Sequence, residues 1–320
     1  MQLQSYGRKI TYLRISITDK CNLRCRYCMP EEGVPHTAHD KLLRAEELRR
    51  LTGIFCSGGI NKIRITGGEP LVSRILLPFV ESLANLHLED LSITTNGQLL
   101  PQMAQELKKA GIKRVNISLD SLRQDRFSWI TRGGDLQKTL DGIDAALAAG
   151  LNPVKINTVM VRDYNDDEAM DIALLAKDKP LHIRFIEFMP LGEHTIWGPE
   201  SYISRQETMD KIAPLGPLIP HRVYGNGPAE VFTIPGFMGT IGFIDAMSGH
   251  FCSSCNRLRL TCDGRLYSCL HGTQYTDLLG PLREGASDEA LLNLIITATE
   301  EKPKSHNLGS QTREMNTIGG

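Results

Sequence analysis

The chain has 320 residues; at about 150 residues per domain this suggests two domains, or one barrel-sized domain with an appendage. With 41% hydrophobic and 23% charged residues it can build a sizeable globular core. Thirty-six Lys and Arg against 37 Asp and Glu leave a net charge of −1, which excludes the general basic surface of nucleic-acid or anionic-membrane binding but not a local basic pocket. No apolar run approaches a membrane span, Leu291 to Ala298 being among the longest. Met1 to Ile10 is polar and lacks the apolar stretch of a secretory signal. A cytoplasmic protein is expected, with neither nucleic acid nor membrane as partner.

In chain order, short β-branched runs alternate with segments of helical spacing. Strands are predicted at Tyr12 to Thr18, Lys62 to Thr66, Leu91 to Thr95, Arg114 to Leu119, Val154 to Met160 and His182 to Phe188. Helices are predicted at Arg44 to Cys56, Leu76 to Leu88, Leu99 to Ala110, Leu136 to Ala149 and Asp166 to Lys177, where apolar residues recur at i, i+3 and i+4. Gly111 and Gly150 stand where helices should end. Six successive βα units require a parallel sheet, because each helix is the crossover between neighbouring strands. They are too few for a closed eight-stranded barrel, which leaves a partial barrel or a doubly wound sheet. After about Pro214 five prolines interrupt the pattern, and short strand-like runs (Val231 to Ile234, Gly239 to Ile244, Arg257 to Leu260) replace it. The division expected is residues 1–215, a smaller extension over 216–300, and a solvated polar tail over 301–320.

The eight cysteines are unevenly placed: Cys21, Cys25 and Cys28 stand together, Cys252, Cys255, Cys262 and Cys269 stand together, and Cys56, on an amphipathic helix, reads as core. A long, well-cored chain without a signal segment does not need a disulfide framework, so the clusters point to metal or redox chemistry. Cys21-Asn-Leu-Arg-Cys25-Arg-Tyr-Cys28 follows the first strand with C-x3-C-x2-C spacing. Three thiolates can hold three corners of a four-iron cube, and the fourth iron then stays open to a small molecule. Zinc is the competing reading, with His36 or His39 completing the site.

These residues resemble the radical S-adenosylmethionine superfamily, whose C-x3-C-x-aromatic-C signature has Tyr27 as the aromatic here. Gly67-Gly68-Glu69-Pro70 closes the second strand as the GGEP motif of that superfamily does. The resemblance implies a partial (β/α)6 TIM-type barrel, a cluster on Cys21, Cys25 and Cys28, and S-adenosylmethionine held by Tyr27, Gly68, Ser118 and Met189. Glycines at a strand's C-terminal edge would let the ligand approach the backbone.

The second group permits two readings from spacing alone: a four-cysteine zinc knot, or a second cluster on C-x2-C-x13-C with Cys262 incidental. The string Cys255-Asn-Arg-Leu-Arg-Leu-Thr resembles the GTP 3′,8-cyclase family of molybdenum cofactor biosynthesis, and the likeness runs from Tyr12-Leu-Arg-Ile-Ser to the terminal Gly-Gly. It implies a second four-iron cluster on Cys252, Cys255 and Cys269 that faces guanine. It implies GTP binding by Arg14, Arg64, Thr94, Lys155, Arg257 and Arg259, where arginine forks match phosphate oxygens. Catalytic roles fall to Arg257, Arg259, Gly319 and Gly320. The implied partners are an external electron donor of flavodoxin or ferredoxin type and a downstream cyclic pyranopterin monophosphate synthase; a homodimer is left open. Two departures are visible. Cys262 is an extra thiol, and Leu71-Val-Ser-Arg74 stands where the family tends to place adjacent arginines.

Overall fold

The computed structural model describes residues 2–189, 196–221, 227–249 and 251–305. An N-terminal hairpin, β1 (Gln4–Ser5) and β2 (Arg8–Lys9), precedes the main sheet. Six strands follow as successive parallel neighbours: β3 (Tyr12–Ser16), β4 (Lys62–Thr66), β5 (Asp90–Thr95), β6 (Arg114–Ser118), β7 (Val154–Met160) and β8 (Leu181–Glu187). The helices between them are α1 (Ala45–Ser57), α2 (Leu76–Ser82), α3 (Leu100–Ala110), α4 (Gln124–Thr131), α5 (Leu136–Ala148) and α6 (Ala169–Leu174). Gly111 takes φ +118° directly after α3, and Gly150 takes φ +69° just beyond α5, the left-handed turns that release a helix.

Three helical details differ from expectation. The helix starting at Leu76 stops at Ser82, whose Oγ donates to the Phe79 carbonyl at 2.6 Å and competes with the helical ladder. The segment from Asp166 opens as a 3-10 turn and is α-helical only from Ala169 to Leu174. α4 had no counterpart in the pattern, because eight residues carrying Gln, Asp and Arg give a weak periodic signal.

The chain beyond α7 (Arg205–Ile212) enters the same sheet at both of its edges. The remaining elements are β9 (Ile219–Pro220), β10 (Glu230–Thr233), β11 (Thr240–Ile244), β12 (Arg257–Leu260), β13 (Arg265–Tyr267), β14 (Thr276–Asp277), α8 (Leu279–Arg283) and α9 (Asp288–Glu300). β11 pairs parallel with β8, and β10 and β9 extend that edge antiparallel. β12 pairs parallel with β3, Arg259 against Arg14, and carries β13 and β14 beyond it. Among the described residues the result is one sheet in the order β14-β13-β12-β3-β4-β5-β6-β7-β8-β11-β10-β9. Ile244 of β11 and Arg257 and Arg259 of β12 line the same cavity although they come from opposite edges, so the sheet curls into a partial barrel.

Parallel strands covered on both faces usually read as continuous apolar runs. Here most of them alternate. Leu13, Ile15, Ile63, Ile65, Ile93, Val115, Ile117, Ile156 and Ile183 belong to the apolar core, and the residues between them are Arg14, Arg64, Thr94, Asn116, Lys155 and Arg184. The outer face of the barrel packs on the helices, and its inner face is mostly polar and cationic, with Val159, Ile186 and Ile244 as apolar exceptions at the cavity. Towards the strand N-termini Arg114 Nε donates to Asp90 Oδ1 at 2.7 Å, and its Nη2 bonds Oδ2 of the same buried carboxylate. No helix among the described residues is long and apolar enough to cross a membrane.

This paired fork neutralises one cation of the lumen, so removing one partner leaves the other buried alone. Arg114→Met is expected to lower unfolding free energy by about 3–5 kcal/mol, and the double change with Asp90→Leu should recover most of that loss. Urea denaturation of the two variants is the check.

Candidate active site

The strand C-termini open into a cavity of about 320 Å³. β3 runs directly into the loop bearing Cys21, Cys25 and Cys28, and all three cysteines line that cavity. The loop is fastened from several sides. The Arg24 and Arg26 amides donate to the Thr131 and Ile130 carbonyls at 3.1 and 2.9 Å. Arg132 donates to the Arg24 and Met29 carbonyls, and Asp19 accepts the Thr37 amide at 2.6 Å. His36 and His39 are exposed and do not line the cavity.

Burial pushes the Cys21 thiol up to about 11, while N–H donation from Leu23 to its Sγ, at 3.4 Å, works in favour of the thiolate. Burial also raises Cys25, and the neighbouring Cys28 and Cys21 raise it further. Three close thiolates repel one another unless a cationic centre holds them, so this donor set fits an iron–sulfur cluster. Among the described residues no three His, Cys, Asp or Glu side chains converge tightly enough to hold a single metal ion.

Gly67 and Gly68 end β4 against the backbone that leads into Cys21. The Gly68 amide donates to Thr18 O and the Glu69 amide to Lys20 O, both at 2.8 Å. A Cβ on Gly67 would lie 2.7 Å from Thr18 O, and one on Gly68 would collide with the Lys20 carbonyl. Sequence reasoning gave these glycines to an approaching ligand; the structure shows a strand end of the same chain needing the space as well. Both still line the cavity, as do Tyr27, Ser118 and Met189.

Three carboxylates stand at the ends of β4, β6 and β8: Glu69, which the sequence reading met only as part of the GGEP motif, and Asp120 and Glu187, which it passed over. Glu69 accepts the Leu71 and Asn96 amides and the Thr95 hydroxyl; burial raises it to about 7 against the pull of those donors. Asp120 accepts the Tyr27 hydroxyl at 2.7 Å and the Val159 amide at 2.9 Å, and burial raises it to about 6. Glu187 accepts the Met247 and Ser248 amides, both at 2.8 Å, with further bonds from Ser248 Oγ, Tyr202 and the Arg205 amide. Their donors satisfy them, and each ties loops together. For Asp120 and Glu187 the signal available was position alone, an acidic residue at a strand's carboxyl end.

Arg14, Arg64, Thr94, Arg257 and Arg259 all line the cavity, as the sequence reading expects. Arg184 joins them, missed although it alternates with Ile183 and Phe185 just as Arg64 does with Ile63 and Ile65. Lys155 is not on the lining; it is 2% exposed and lies beneath it. Burial and the mutual proximity of these cations depress Arg14, Arg64, Lys155, Arg184 and Arg259. Lys155 falls to about 6 through burial, then Arg184, Arg114 and Arg64. Arg184 falls to about 9 and Arg259 to about 10, and Arg14 lies well below the ordinary arginine range. Neither Arg64 nor Arg184 forms a salt bridge among the described residues. A cluster of this kind sets up a strongly positive potential in the cavity, which favours an anion over a neutral molecule. Thr94 Oγ1 likewise has no hydrogen-bond partner among the described residues.

The second cysteine group borders this lumen. Cys252, Cys255 and Cys269 are partly buried and lie off the cavity lining, while Arg257, Arg259 and Leu270 beside them are on it. Burial alone would raise Cys255, but Lys302 and Arg257 outweigh it and lower the thiol. Cys262 differs. It is buried, pushed up to about 12 by burial, then by Asp19 and Asp263, and hydrogen-bonded to Ser16. Cys56 is half-buried rather than in the core. Arg74 is exposed. Gly319 and Gly320 lie outside the described residues. The expected solvated tail is corrected at its start: Lys302 is 2% exposed, and its ammonium takes two backbone carbonyls as acceptors.

The radical SAM superfamily model matches residues 15–176, and the molybdenum cofactor synthesis C model matches residues 181–308. The GTP 3′,8-cyclase of Pelotomaculum thermopropionicum is 49% identical over 322 residues, covering 99% of both chains. That of Moorella thermoacetica is 49% identical over 321 residues, with the same coverage. Among solved structures, Streptococcus suis SuiB superposes with a TM-score of 0.62 at 13% identity, over 86% of this chain and 66% of that one. SuiB bound to S-adenosylmethionine superposes with a TM-score of 0.60 at 12% identity, over 90% and 69%. At these identities the likeness is one of fold.

Gly68→Ala tests the joint between β4 and the first cysteine loop. After anaerobic treatment with iron and sulfide, the variant is expected to bind about four irons fewer than the parent, with an unchanged far-ultraviolet circular dichroism spectrum.

Proposed function

Because the chain belongs to the GTP 3′,8-cyclase family of the radical S-adenosylmethionine superfamily, we propose that it converts GTP to (8S)-3′,8-cyclo-7,8-dihydroguanosine 5′-triphosphate, the first step of molybdenum cofactor biosynthesis. One observation carries this reading. A single cavity has three cysteines and a GGEP strand end on its rim and five arginines from four strands on its walls.

Cys21, Cys25 and Cys28 hold the first four-iron cluster, and Tyr27, Gly68, Ser118 and Met189 hold S-adenosylmethionine beside it. Bound there, the reduced cluster and S-adenosylmethionine supply hydrogen-atom abstraction from C3′ of the GTP ribose. The protein's own part is to fix that atom in place and keep water away. Arg14, Arg64 and Arg184, with Lys155 beneath them, grip the triphosphate, and Thr94 offers a hydroxyl that has no other partner among the described residues. Arg257 and Arg259 orient the purine for closure of C3′ onto C8. Asp120 anchors the cysteine loop through Tyr27, and Glu187 anchors the segment before Cys252.

Cys252, Cys255 and Cys269 hold a second four-iron cluster at the guanine side. The separate environment of Cys262, buried against Ser16 and Asp19, supports leaving it out of the ligand set. Gly319 and Gly320, the terminal pair of the sequence, take a catalytic role in this reading. The enzyme works in the cytoplasm with an external flavodoxin- or ferredoxin-type reductant, alone or as a homodimer, and passes its product to cyclic pyranopterin monophosphate synthase.

Anaerobic enzyme given GTP, S-adenosylmethionine and a strong reductant should release 5′-deoxyadenosine only when GTP is present. Dependence on a peptide would identify a peptide-modifying radical enzyme instead. The parent should bind about eight irons with matching sulfide, unchanged in Cys262→Ser; stoichiometric zinc without iron would identify an adaptor.

Nucleotide binding should also be linked to pH. Lys155, near 6, is largely neutral in the empty pocket above that pH, and a bound triphosphate favours its charged form. Binding is therefore expected to take up about one proton per site at pH 7.5, and affinity to fall as pH rises, by up to about tenfold per unit. Calorimetry in buffers of differing ionisation enthalpy measures this uptake, which Lys155→Met should abolish.

A further inference from the structure

Lys302, two residues beyond α9, is buried in the protein, and its surroundings are unusual for a lysine. A buried ammonium ordinarily pairs with a carboxylate or loses its proton. Among the described residues Lys302 has no carboxylate partner. Its Nζ donates to Arg257 O at 3.0 Å and to Ser268 O, and it hydrogen-bonds the Cys255 thiol.

Those acceptors have one thing in common. β12 begins two residues after Cys255, and β13 ends two residues before Cys269. The two strands pair antiparallel, Arg259 against Tyr267; the same register continued outward sets Arg257 opposite Cys269. Lys302 therefore sits across the open end of the hairpin, touching both cysteine-bearing segments. The third segment is held by Arg8, whose guanidinium donates to Cys252 O and to Pro303 O, each at 2.9 Å, and to Lys302 O at 3.3 Å. Two buried cations, neither of them on the cavity lining, thus hold the segments that carry Cys252, Cys255 and Cys269.

We propose that Lys302 is a positioning residue of the second cysteine site: its ammonium sets the separation of the strand ends carrying Cys255 and Cys269 and supplies the positive charge that favours the reduced form of the cluster they hold. This rests on the reading that Cys252, Cys255 and Cys269 hold a four-iron cluster. Three thiolates on a four-iron core leave a site whose negative charge grows by one on reduction. A fixed cation within a few ångströms, shielded from water, stabilises the added electron. Carbonyl dipoles hold the ammonium in place but carry no net charge, so the thiolates are its only counter-charge among the described residues.

The test uses the full-length holoenzyme with both clusters, its Lys302→Met and Lys302→Arg variants, and potentiometric titration followed by electron paramagnetic resonance. The first cluster is recognised by the response of its signal to S-adenosylmethionine. Lys302→Met is expected to keep its iron but to show an about tenfold lower ratio of reduced to oxidised second cluster at a fixed potential, about 59 mV for a one-electron couple. The first cluster should titrate as in the parent, and Lys302→Arg should restore most of the difference. An unchanged second cluster in Lys302→Met, or an equal shift of both clusters, overturns the proposal. If Lys302→Met loses the second cluster, retention in Lys302→Arg with the parental ratio supports it and loss in both variants overturns it. A parent that binds only about four irons fails earlier, at the second cluster itself, and takes this proposal with it.

Discussion

Positive charge enclosed within a parallel barrel is the constraint on which the rest of this structure depends. A closed barrel normally fills its interior with layers of aliphatic side chains. Here the lumen holds Arg14, Arg64, Lys155, Arg184 and Arg259 at low exposure, close enough to depress one another. One cation is neutralised by design, Arg114 by the Asp90 carboxylate near the strand N-termini. The remaining charge accumulates towards the open end, where a polyanion would relieve it. The hydrophobic bargain is made on the other side of the same strands, where Ile15, Ile65, Ile93, Ile117 and Ile156 pack beneath the helices and hold the sheet in shape. Fold and site are opposite faces of one alternation.

At the strand C-termini the dominant device is the buried carboxylate satisfied by backbone amides. Glu69, Asp120 and Glu187 each receive bonds from loops far apart in sequence. Charge-assisted bonds of this kind are stronger than neutral ones and directional, so the loops around the cavity are pinned by electrostatics as well as by packing. Burial raises two of these groups towards neutrality. Their full complement of donors nevertheless makes them struts rather than proton carriers.

Much of this was legible in the sequence, and the rest was hidden for identifiable reasons. β4 and β7 were legible to the residue, Lys62–Thr66 and Val154–Met160, because their runs are long and bounded by turn residues. Both cysteine groups and the GGEP end were legible because chemistry demands those residue types at that spacing. Arg184 was legible in principle: the alternation of Arg with Ile and Phe marks an inward cation, but only once the strand is known to curl around a lumen. Lys302 was not. A lysine in a polar stretch looks solvated, and only tertiary contact with the hairpin of β12 and β13 buries it. The joining of β11 and β12 to opposite edges of the sheet was hidden too, since pairing across more than 200 residues, as between Leu258 and Leu13, leaves no local trace.

The pairing of β12 with β3 has a consequence for how the site can vary. β3 delivers the first cysteine loop from its end, and β12 sets out just after Cys255, so one ladder of hydrogen bonds measures the distance between the two cysteine groups. Nothing in that ladder can stretch, and a slip of β12 by one residue would turn Arg257 and Arg259 out of the lumen while Arg14 stays in register with Arg64. The gap between the two cysteine groups is therefore a ruler with a single graduation. Loops and lumen side chains of this chain can be changed without altering that span, because only the backbone pairing sets it.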